Sequence, residues 1–441
     1  MLRTLIALTL ASLGACQLQS CNSTDYSCIE ERTLAVQAAS EIPNYVTYPI
    51  QDDAFYATPA NFSSPKPGQI LKIEWETDIS EYSVPPGQAL SRIMYASTDD
   101  RGNVVPATAA ILWPFSPKSF NGSQKYPLVA WAHGTSGIVR QCAITNQRNL
   151  QYNFRSVFTL ATAGYAVVMT DYVGLGSDNF FNYLAYKLHA DDVVYSALAA
   201  QAAFPELSRE WVSFGHSEGG GVAWAIGERQ AVDPIPGFLG TIAAAPPPEQ
   251  INTEREASAS VFTAFMTLTI ANLYGLDLSA IFNPVPLQVI RLIQSIGGCN
   301  SASFAAFAGF TAEDIYSNTS WTMTEEVAQY VRDYSVGGRA LGGPMLILQG
   351  TADTVVTPAS AQAGFNSTCA VLGNNGTSIE YVAIEGQGHN PSVYASQRVW
   401  LDWIEDRFSH KPTPRGCSSR SVGSSRENVQ LPERFSVVYS G

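Results

Sequence analysis

The sequence predicts an α/β fold in which a mostly parallel sheet is covered by helices on both faces. Short and nearly continuous apolar runs recur along the chain, as strands buried on both faces require. These runs occupy residues 126–132, 166–170, 211–214, 238–245, 345–348 and 379–384. Helical segments lie between them, and such alternation is typical of a parallel sheet. The predicted helices occupy residues 154–163, 190–203, 219–231 and 394–408.

The N-terminus has the features of a signal peptide over residues 1–15. Arg3 precedes an apolar run, and Gly14 and Ala15 come before the composition turns polar. The same stretch also resembles a bacterial lipobox, in which Cys16 would carry a lipid anchor. Sequons favour a eukaryotic secretory pathway instead, and so an extracellular location. Their asparagines are Asn22, Asn61, Asn121, Asn318, Asn366 and Asn375.

The next segments lead into the core. Residues 16–68 mix Ser, Pro and Asn without a sustained period, so we expect an arm wrapped over the main body. Strand-like segments at 70–77, 89–98 and 104–113 are separated by turn signals and predict consecutive antiparallel strands. Together with the first parallel strands they would form the first part of the core, residues 69–248.

A long interval then interrupts the alternation of strands and helices. About ninety residues lie between the runs at 238–245 and 345–348, too many for a plain connection between strands. We expect an inserted helical cap, or lid, at residues 249–340, with apolar helices at 258–273 and 286–296. The core would resume over residues 341–410. Residues 411–441 are expected to form a tail that is largely unstructured apart from Cys417.

The overall charge excludes some classes of partner. The formal net charge of the 441-residue chain is −13, and no cluster of Lys and Arg is present. A nucleic-acid-binding face needs such a cluster, so we expect no nucleic-acid partner. Only 14% of residues are charged, a composition common in proteins with a neutral polar or glycosylated surface.

The pentapeptide Gly215-His216-Ser217-Glu218-Gly219 follows an apolar run and opens a predicted helix. In a G-x-S-x-G turn the central residue has a strained backbone, and the flanking glycines avoid collisions there. Ser217 would therefore project from the apex of the turn, in the position of a nucleophile.

A serine hydroxyl of normal acidity is a poor nucleophile, so Ser217 needs a base and an acid that orients the base. Among the five histidines, His389 follows the last buried strand in a glycine-rich loop and is the predicted base. Asp353 directly follows a buried strand and is the predicted acid. Glu380 and Glu385 are the substitutes to test for this role. The order Ser, Asp, His is that of the α/β-hydrolase fold.

Acyl transfer also needs hydrogen-bond donors for the developing oxyanion. The backbone N–H of Glu218 is one predicted donor, and Thr135, in the glycine-rich loop after the run at 126–132, is the other. The side chain of Glu218 is either a hydrogen-bonding group behind the site or a solvated charge at a helix N-terminus. No metal-ligand spacing is present, so we expect neither a metal nor another cofactor.

The cysteines predict a disulfide framework. If Cys16 leaves with the signal peptide, an even number remains, as expected in an oxidising compartment. Their spacing suggests a local pair between Cys21 and Cys28. Spacing alone leaves the pairing of the other four open.

Five motifs, taken together, resemble the fungal secretory lipases of the Candida lipase A type, over about residues 45–417. They are His133-Gly134-Thr135, Asp171-Tyr172-Val173-Gly174-Leu175-Gly176, the pentapeptide around Ser217, Gly350-Thr351-Ala352-Asp353 and Gly388-His389. The resemblance implies an α/β-hydrolase with a helical cap and the triad Ser217, Asp353 and His389. It also implies the disulfides Cys142–Cys299 and Cys369–Cys417. The chain departs from the pattern at Glu218, where these lipases more often have Gly or Gln.

The leading hypothesis is a secreted carboxylic ester hydrolase, most specifically a triacylglycerol lipase working through an acyl-serine intermediate. It would act as a monomer on acylglycerols or other esters, with transient contact to a lipid interface. Apolar cap residues would line an acyl tunnel, although each could instead pack the cap on the core. They are Val261, Phe262, Phe265, Met266, Phe304 and Phe307. The alternatives are a short-chain esterase, an acyltransferase, a serine peptidase or a noncatalytic binding protein of the same fold.

Overall fold

The computed structural model describes residues 20–424, except 61, 63–64, 255 and 374–376. The predicted signal peptide, Cys16, the sequons at Asn61 and Asn375 and the end of the tail lie outside the described residues. The described chain forms a ten-stranded sheet with the order β1-β2-β3-β5-β4-β6-β7-β8-β9-β10. The strands are β1 Ile70–Glu74, β2 Gln88–Thr98, β3 Val104–Pro114, β4 Tyr126–Ala132, β5 Ala166–Thr170, β6 Leu207–His216, β7 Phe238–Ala244, β8 Met345–Gly350, β9 Ile379–Ile384 and β10 Cys417–Val422.

The sheet is antiparallel at one side and parallel over the rest. β1, β2 and β3 pair antiparallel, and β3 joins β5 in the same way. From β5 to β10 every neighbouring pair is parallel. The predicted mostly parallel α/β architecture and its leading antiparallel strands are therefore confirmed.

The central strands are buried on both faces. In β4, Leu128 and Ala130 belong to one apolar cluster, whereas Val129 and Trp131 belong to the other. All four side chains are fully buried. Because successive side chains of a strand point to opposite faces, β4 stabilises the packing of helices on both sides. This burial explains why its sequence is apolar throughout.

Helices cover both faces and fill the interval between β7 and β8. The α-helices are Tyr26–Val36, Val157–Thr162, Tyr186–Ala203, Glu218–Val232, Val261–Tyr274, Leu278–Ile281, Pro284–Ile296, Asn300–Phe307, Ala312–Ile315, Glu325–Tyr334, Pro358–Leu372, Pro391–Ala395 and Gln397–Phe408. None of the helices in the described part of the chain has the length and apolar character needed to span a bilayer. The predicted helix at 394–408 is interrupted at Ser396, and Pro358–Leu372 was not predicted.

The expectation of an unstructured segment after residue 411 is wrong for β10. Cys417–Val422 pairs in parallel with β9 over its whole length, and Arg420 forms an ion pair with Glu380 of that strand. The side chains of β10 are mostly exposed, so the sequence has no apolar alternation to reveal the strand. Backbone hydrogen bonds to the edge of the sheet hold it in place.

The described residues before β1, here called the arm, contact the helices between β7 and β8, here called the cap, through polar groups. The carboxylate of Glu41 accepts hydrogen bonds from the backbone N–H groups of Cys299 and Ala302, both at 2.9 Å. These donors lie at the start of the helix Asn300–Phe307, where N–H groups have no partner within the helix. Arg32 donates to the carbonyl oxygen of Ala308 near the end of the same helix (3.2 Å). The arm therefore binds both ends of this cap helix through hydrogen bonds.

The structure contains the disulfides Cys21–Cys28, Cys142–Cys299 and Cys369–Cys417. The first pair is the one that spacing suggests, and the other two are those that the family resemblance implies. Cys142–Cys299 joins the loop after β4 to the cap, and Cys369–Cys417 ties β10 to the helix Pro358–Leu372.

Removing the disulfide between core and cap should destabilise the protein. We expect the double variant Cys142→Ala and Cys299→Ala to lose about 2–5 kcal/mol of unfolding free energy, because this bridge closes a long loop in the unfolded chain. The sequence separation is 157 residues, against 7 for Cys21–Cys28. The matched control, Cys21→Ala with Cys28→Ala, should therefore lose less in urea unfolding. Equal losses would contradict the chain-entropy explanation.

Candidate active site

Ser217 lies at the carboxyl end of β6, between that strand and the helix Glu218–Val232. Its backbone has φ 60° and ψ −124°, a strained conformation for a residue with a side chain. Two sets of hydrogen bonds hold it there. The N–H of Ser217 donates to the carbonyl of Ala244 in the adjacent strand (2.9 Å), and its own carbonyl accepts from Gly220 and Gly221.

The glycines flanking Ser217 are required by close backbone approach. A Cβ atom on Gly215 would overlap the carbonyl oxygen of Gly219, and a Cβ on Gly219 would overlap that of Ala132. Both clashes involve backbone atoms, which cannot rotate away. The pattern G-x-S-x-G thus has a steric cause here, since helix and strand meet too closely for any side chain at these two positions.

Asp353 and His389 meet beyond the ends of β8 and β9. Nδ1 of His389 lies 2.8 Å from Oδ2 of Asp353. The other carboxylate oxygen accepts from the backbone N–H groups of Val355 and Val356, each at 2.9 Å. Burial raises the pKa of Asp353, but the hydrogen bond from His389 and these N–H groups outweigh it and lower the pKa below its usual value. Asp353 is therefore an ionised and oriented acceptor.

Ser217 and His389 line the same cavity, which has a volume of about 320 Å³. The predicted oxyanion residue Thr135 lines it too. The core residues of its wall include Thr135, Gln151, Tyr152, Arg155, His216, Ser217, Val355, His389 and Asn390, and the cap residues are Phe262, Asn300 and Phe304. The structure thus brings together the residues predicted from three separate strand ends.

The loop that carries Thr135 is held by residues that the sequence did not reveal. The carbonyl oxygen of Thr135 accepts from the side-chain amides of Gln151 (2.9 Å) and Asn300 (2.5 Å). The N–H of Gly134 donates to the hydroxyl of Tyr152 at 2.7 Å, and that hydroxyl also lies 3.2 Å from Nδ1 of His216. These partners come from a loop, the cap and the serine turn, so no local sequence signal links them.

The other histidines have different surroundings. His216 lines the cavity, but its Nδ1 faces Tyr152 and its Nε2 lies 3.2 Å from the carbonyl oxygen of His389. His133 and His189 are buried, and each stacks on the ring of Tyr172. His410 pairs with a surface glutamate. Of the five, only His389 combines a carboxylate at Nδ1 with a place beside Ser217.

Glu218 is buried, with 1% of its surface exposed, so its interpretation as a solvated charge is wrong. Oε1 accepts a long hydrogen bond from the N–H of Leu184 (3.4 Å) and lies 3.5 Å from Nδ1 of His189. Burial raises the pKa of Glu218 to about 8, although hydrogen bonds from Leu184 and Thr135 act in the opposite direction. The carboxyl is therefore protonated at neutral pH and lies behind Thr135.

Glu218→Gln should change how stability depends on pH. Between its ordinary pKa of 4.5 and the raised value of about 8, the folded chain keeps a proton that the unfolded chain has lost. The free energy of unfolding of the wild type should then fall as the pH rises through this window, while Gln does not titrate. The quantity to follow is the free energy of unfolding of the wild type minus that of Glu218→Gln. We expect this difference, measured by urea unfolding, to fall by roughly 2–4 kcal/mol between about pH 5 and pH 8. A constant difference would mean that Glu218 is ionised throughout.

Comparisons with known proteins identify the family of this chain. The sequence model of the secretory lipase family matches residues 140–416. Lipase 10 of Candida albicans is 23% identical over 429 residues, covering 87% of this chain and 86% of the relative. Lipase 6 of the same organism is 22% identical over 423 residues, covering 89% of each chain.

The fold is also found in solved structures. Candida antarctica lipase A superposes with a TM-score of 0.68 at 15% identity, over 85% of this chain and 89% of the other. The rice cell wall degrading esterase LipA from Xanthomonas oryzae gives 0.60 at 18% identity, over 77% and 97%. These likenesses support the α/β-hydrolase fold, and the family match extends over more than half of the sequence. The chain therefore belongs to the secretory lipase family and is a carboxylic ester hydrolase.

Proposed function

We propose that this enzyme is a secreted triacylglycerol lipase that cleaves its substrate through an acyl-serine intermediate. The observation that carries the proposal is the 2.8 Å contact between His389 and Asp353, in the cavity that Ser217 also lines. Nucleophile, base and orienting acid are thereby provided at one site. Each derives from a separate strand end, as the fold requires.

The proposed reaction has two halves. In the first, Nε2 of His389 accepts the hydroxyl proton of Ser217 while Oγ attacks the ester carbonyl carbon. The resulting oxyanion receives hydrogen bonds from the backbone N–H of Glu218 and from Thr135. His389 then donates the proton to the departing alcohol oxygen, leaving the acyl-serine. In the second half, water activated by His389 releases the carboxylic acid and restores Ser217.

An apolar rim supports the preference for lipid esters. Phe262 and Phe304 of the cap line the cavity and contact each other, with ring centroids 5.4 Å apart. Phe304 and Val355 are also exposed large apolar side chains, well placed for transient contact with a lipid interface. Phe265, also predicted to line a tunnel, lines a different cavity, while Val261, Met266 and Phe307 are buried in the core.

Secretion is supported by features outside the cavity. Disulfides form and persist in oxidising compartments, and the structure has three of them. The described sequon asparagines are all exposed, as glycosylation requires; they are Asn22, Asn121, Asn318 and Asn366. The signal peptide predicted over residues 1–15 also supports secretion.

A short-chain esterase is the second candidate, and the size of the cavity favours it. About 320 Å³ is near the lower end of the usual range for ligand pockets, roughly 300–1,000 Å³. A long acyl chain would then need space that this cavity alone does not provide.

The two candidates differ in their dependence on acyl length. We would measure kcat/KM for p-nitrophenyl esters from acetate to palmitate, together with emulsified trioctanoylglycerol. Lipase activity predicts efficient cleavage of long esters and of the emulsion, whereas activity confined to acetate and butyrate would favour the esterase. A fluorophosphonate should label Ser217 in peptide mapping. Hydrolysis without adduct formation at Ser217 would contradict the acyl-serine mechanism.

A further inference from the structure

A second open groove lies far from Ser217, at the opposite end of the parallel strands. It contains Tyr126, where β4 begins, whereas Ser217 follows the carboxyl end of the neighbouring β6. Its volume is about 720 Å³, within the range of ligand pockets, roughly 300–1,000 Å³. The residues that line it include Trp75, Glu76, Thr77, Gln88, Phe115 and Glu206. The proposed ester chemistry uses none of them.

Aromatic rings form one wall of this groove. Trp75 is 58% exposed and Phe115 is 89% exposed, although both are large apolar side chains. Trp75 is not loosely held. Trp75 and Trp113 each pack against buried Phe204, with ring centroids 5.1 Å apart, and Nε1 of Trp113 donates to the hydroxyl of Ser91 at 2.9 Å. Exposed aromatic surface of this kind is found at binding sites more often than on ordinary protein surface.

Unsatisfied polar atoms lie beside these rings. The amide nitrogen of Gln88 donates to the carbonyl of Phe158 and to the hydroxyl of Thr162, at 3.2 and 3.0 Å. Its oxygen has no hydrogen-bond partner within the described residues, and neither has the hydroxyl of Thr77, although both atoms are buried. Gln88 as a whole is only 8% exposed. Such groups usually find a partner, and because both side chains line the groove, a rotation of either one would bring its oxygen to a bound ligand.

The charges of the groove limit the class of ligand. Its lining contains the exposed carboxylates of Glu76 and Glu206 but no Lys, Arg or His among the described residues. Phosphates and fatty-acid anions would be repelled. A purely apolar chain would leave Gln88 and Thr77 without partners. A small cation would fill little of the groove and would not satisfy both of these neutral groups.

We propose that this groove binds a neutral oligosaccharide. Sugar rings present flat faces of C–H groups, which suit Trp75 and Phe115, and many hydroxyl donors at their edges. Those hydroxyls suit the acceptor oxygens of Gln88, Glu76 and Glu206. The rigid aromatic wall is pre-organised and adds little ordering cost on binding. The site would attach the enzyme to a carbohydrate surface while the Ser217 cavity stays free, and it is independent of which ester is cleaved.

The test is a binding titration with the full chain after enzymatic removal of its N-glycans. Cellohexaose, mannohexaose and N-acetylchitohexaose would be titrated by calorimetry. We expect saturable binding of at least one, weakened at least about tenfold in Phe115→Ala and Trp75→Ala, as for other aromatic anchors. Phe180→Ala is the matched control, because Phe180 is exposed but lines a different cavity, and it should bind like the wild type.

Hydrolysis of p-nitrophenyl butyrate provides the check on folding. It should be unchanged in Phe115→Ala and Trp75→Ala, since both residues are remote from Ser217. Absence of binding by all three hexasaccharides would overturn the proposal, as would binding that persists in both variants. Saturable binding of choline or decanoate, lost in the same variants, would replace the sugar by a cation or a lipid and would also overturn it.

Discussion

Ser217→Ala is expected to lower kcat for p-nitrophenyl butyrate by on the order of 10⁶-fold, the scale seen when a triad nucleophile is lost. The variant lacks the oxygen that attacks the ester, so no acyl-enzyme forms. Backbone positions should not change, because the strained turn is held by hydrogen bonds between main-chain groups. The residual rate would come from oxyanion stabilisation and binding alone.

The control for this variant is Ser80→Ala, which removes the hydroxyl of an exposed serine outside the cavity. Its kcat should match that of the wild type, and both variants should unfold at the same urea concentration as the wild type. If Ser217→Ala kept more than about one hundredth of wild-type kcat, far more than a triad variant retains, Ser217 could not be the nucleophile.

Asp353→Asn should have the second largest effect, a loss of about 10⁴-fold in kcat. The ionised carboxylate accepts a hydrogen bond from Nδ1–H of His389, which keeps the proton on Nδ1 and leaves Nε2 free to act as a base toward Ser217. An asparagine amide can present a donor to Nδ1 instead, which places the proton on Nε2 and removes the base. The variant should keep the wild-type KM, since Asp353 lies behind His389 and does not line the substrate cavity.

Glu385→Gln and Glu380→Gln are the matched controls, because these residues were the alternative candidates for the orienting acid. Glu385 is exposed, and Glu380 is paired with Arg420 across β9 and β10 at 2.7 Å. Neither variant should change kcat by more than about twofold, as expected of surface charges. If either variant lost its activity while Asp353→Asn stayed active, the residue changed in that variant would be the acid that orients His389.

The sequence predicts the parallel core well because burial on both faces leaves a clear pattern. β5 and β9 begin and end at the residues expected from their apolar runs. β6 begins four residues earlier than expected, at Leu207, since Ser208, Arg209 and Glu210 continue the strand with polar side chains. β10 was not predicted, because it too lacks an apolar pattern. Its pairing depends on backbone groups, which any sequence provides.

The candidate site likewise contains some residues that the sequence predicts and others that it does not. Ser217, Asp353 and His389 follow buried strands directly, so their places in the chain indicate that they meet at one edge of the sheet. Tyr152 and Asn300 do not follow strands. They reach the loop of Thr135 across 18 and 165 residues of chain, from its residues Gly134 and Thr135 respectively, and only the folded structure makes these contacts visible.

The contacts between arm and cap cannot form until most of the chain has been synthesised. Glu41 precedes its partner Ala302 by 261 residues, and at a synthesis rate of roughly 5–20 residues per second this delay is on the order of tens of seconds. Cys142 must wait similarly for Cys299, 157 residues later. Cys21 and Cys28 are only 7 residues apart and can pair at once. Early closure of this local bridge would remove the two thiols with which Cys142 could otherwise form a wrong bond.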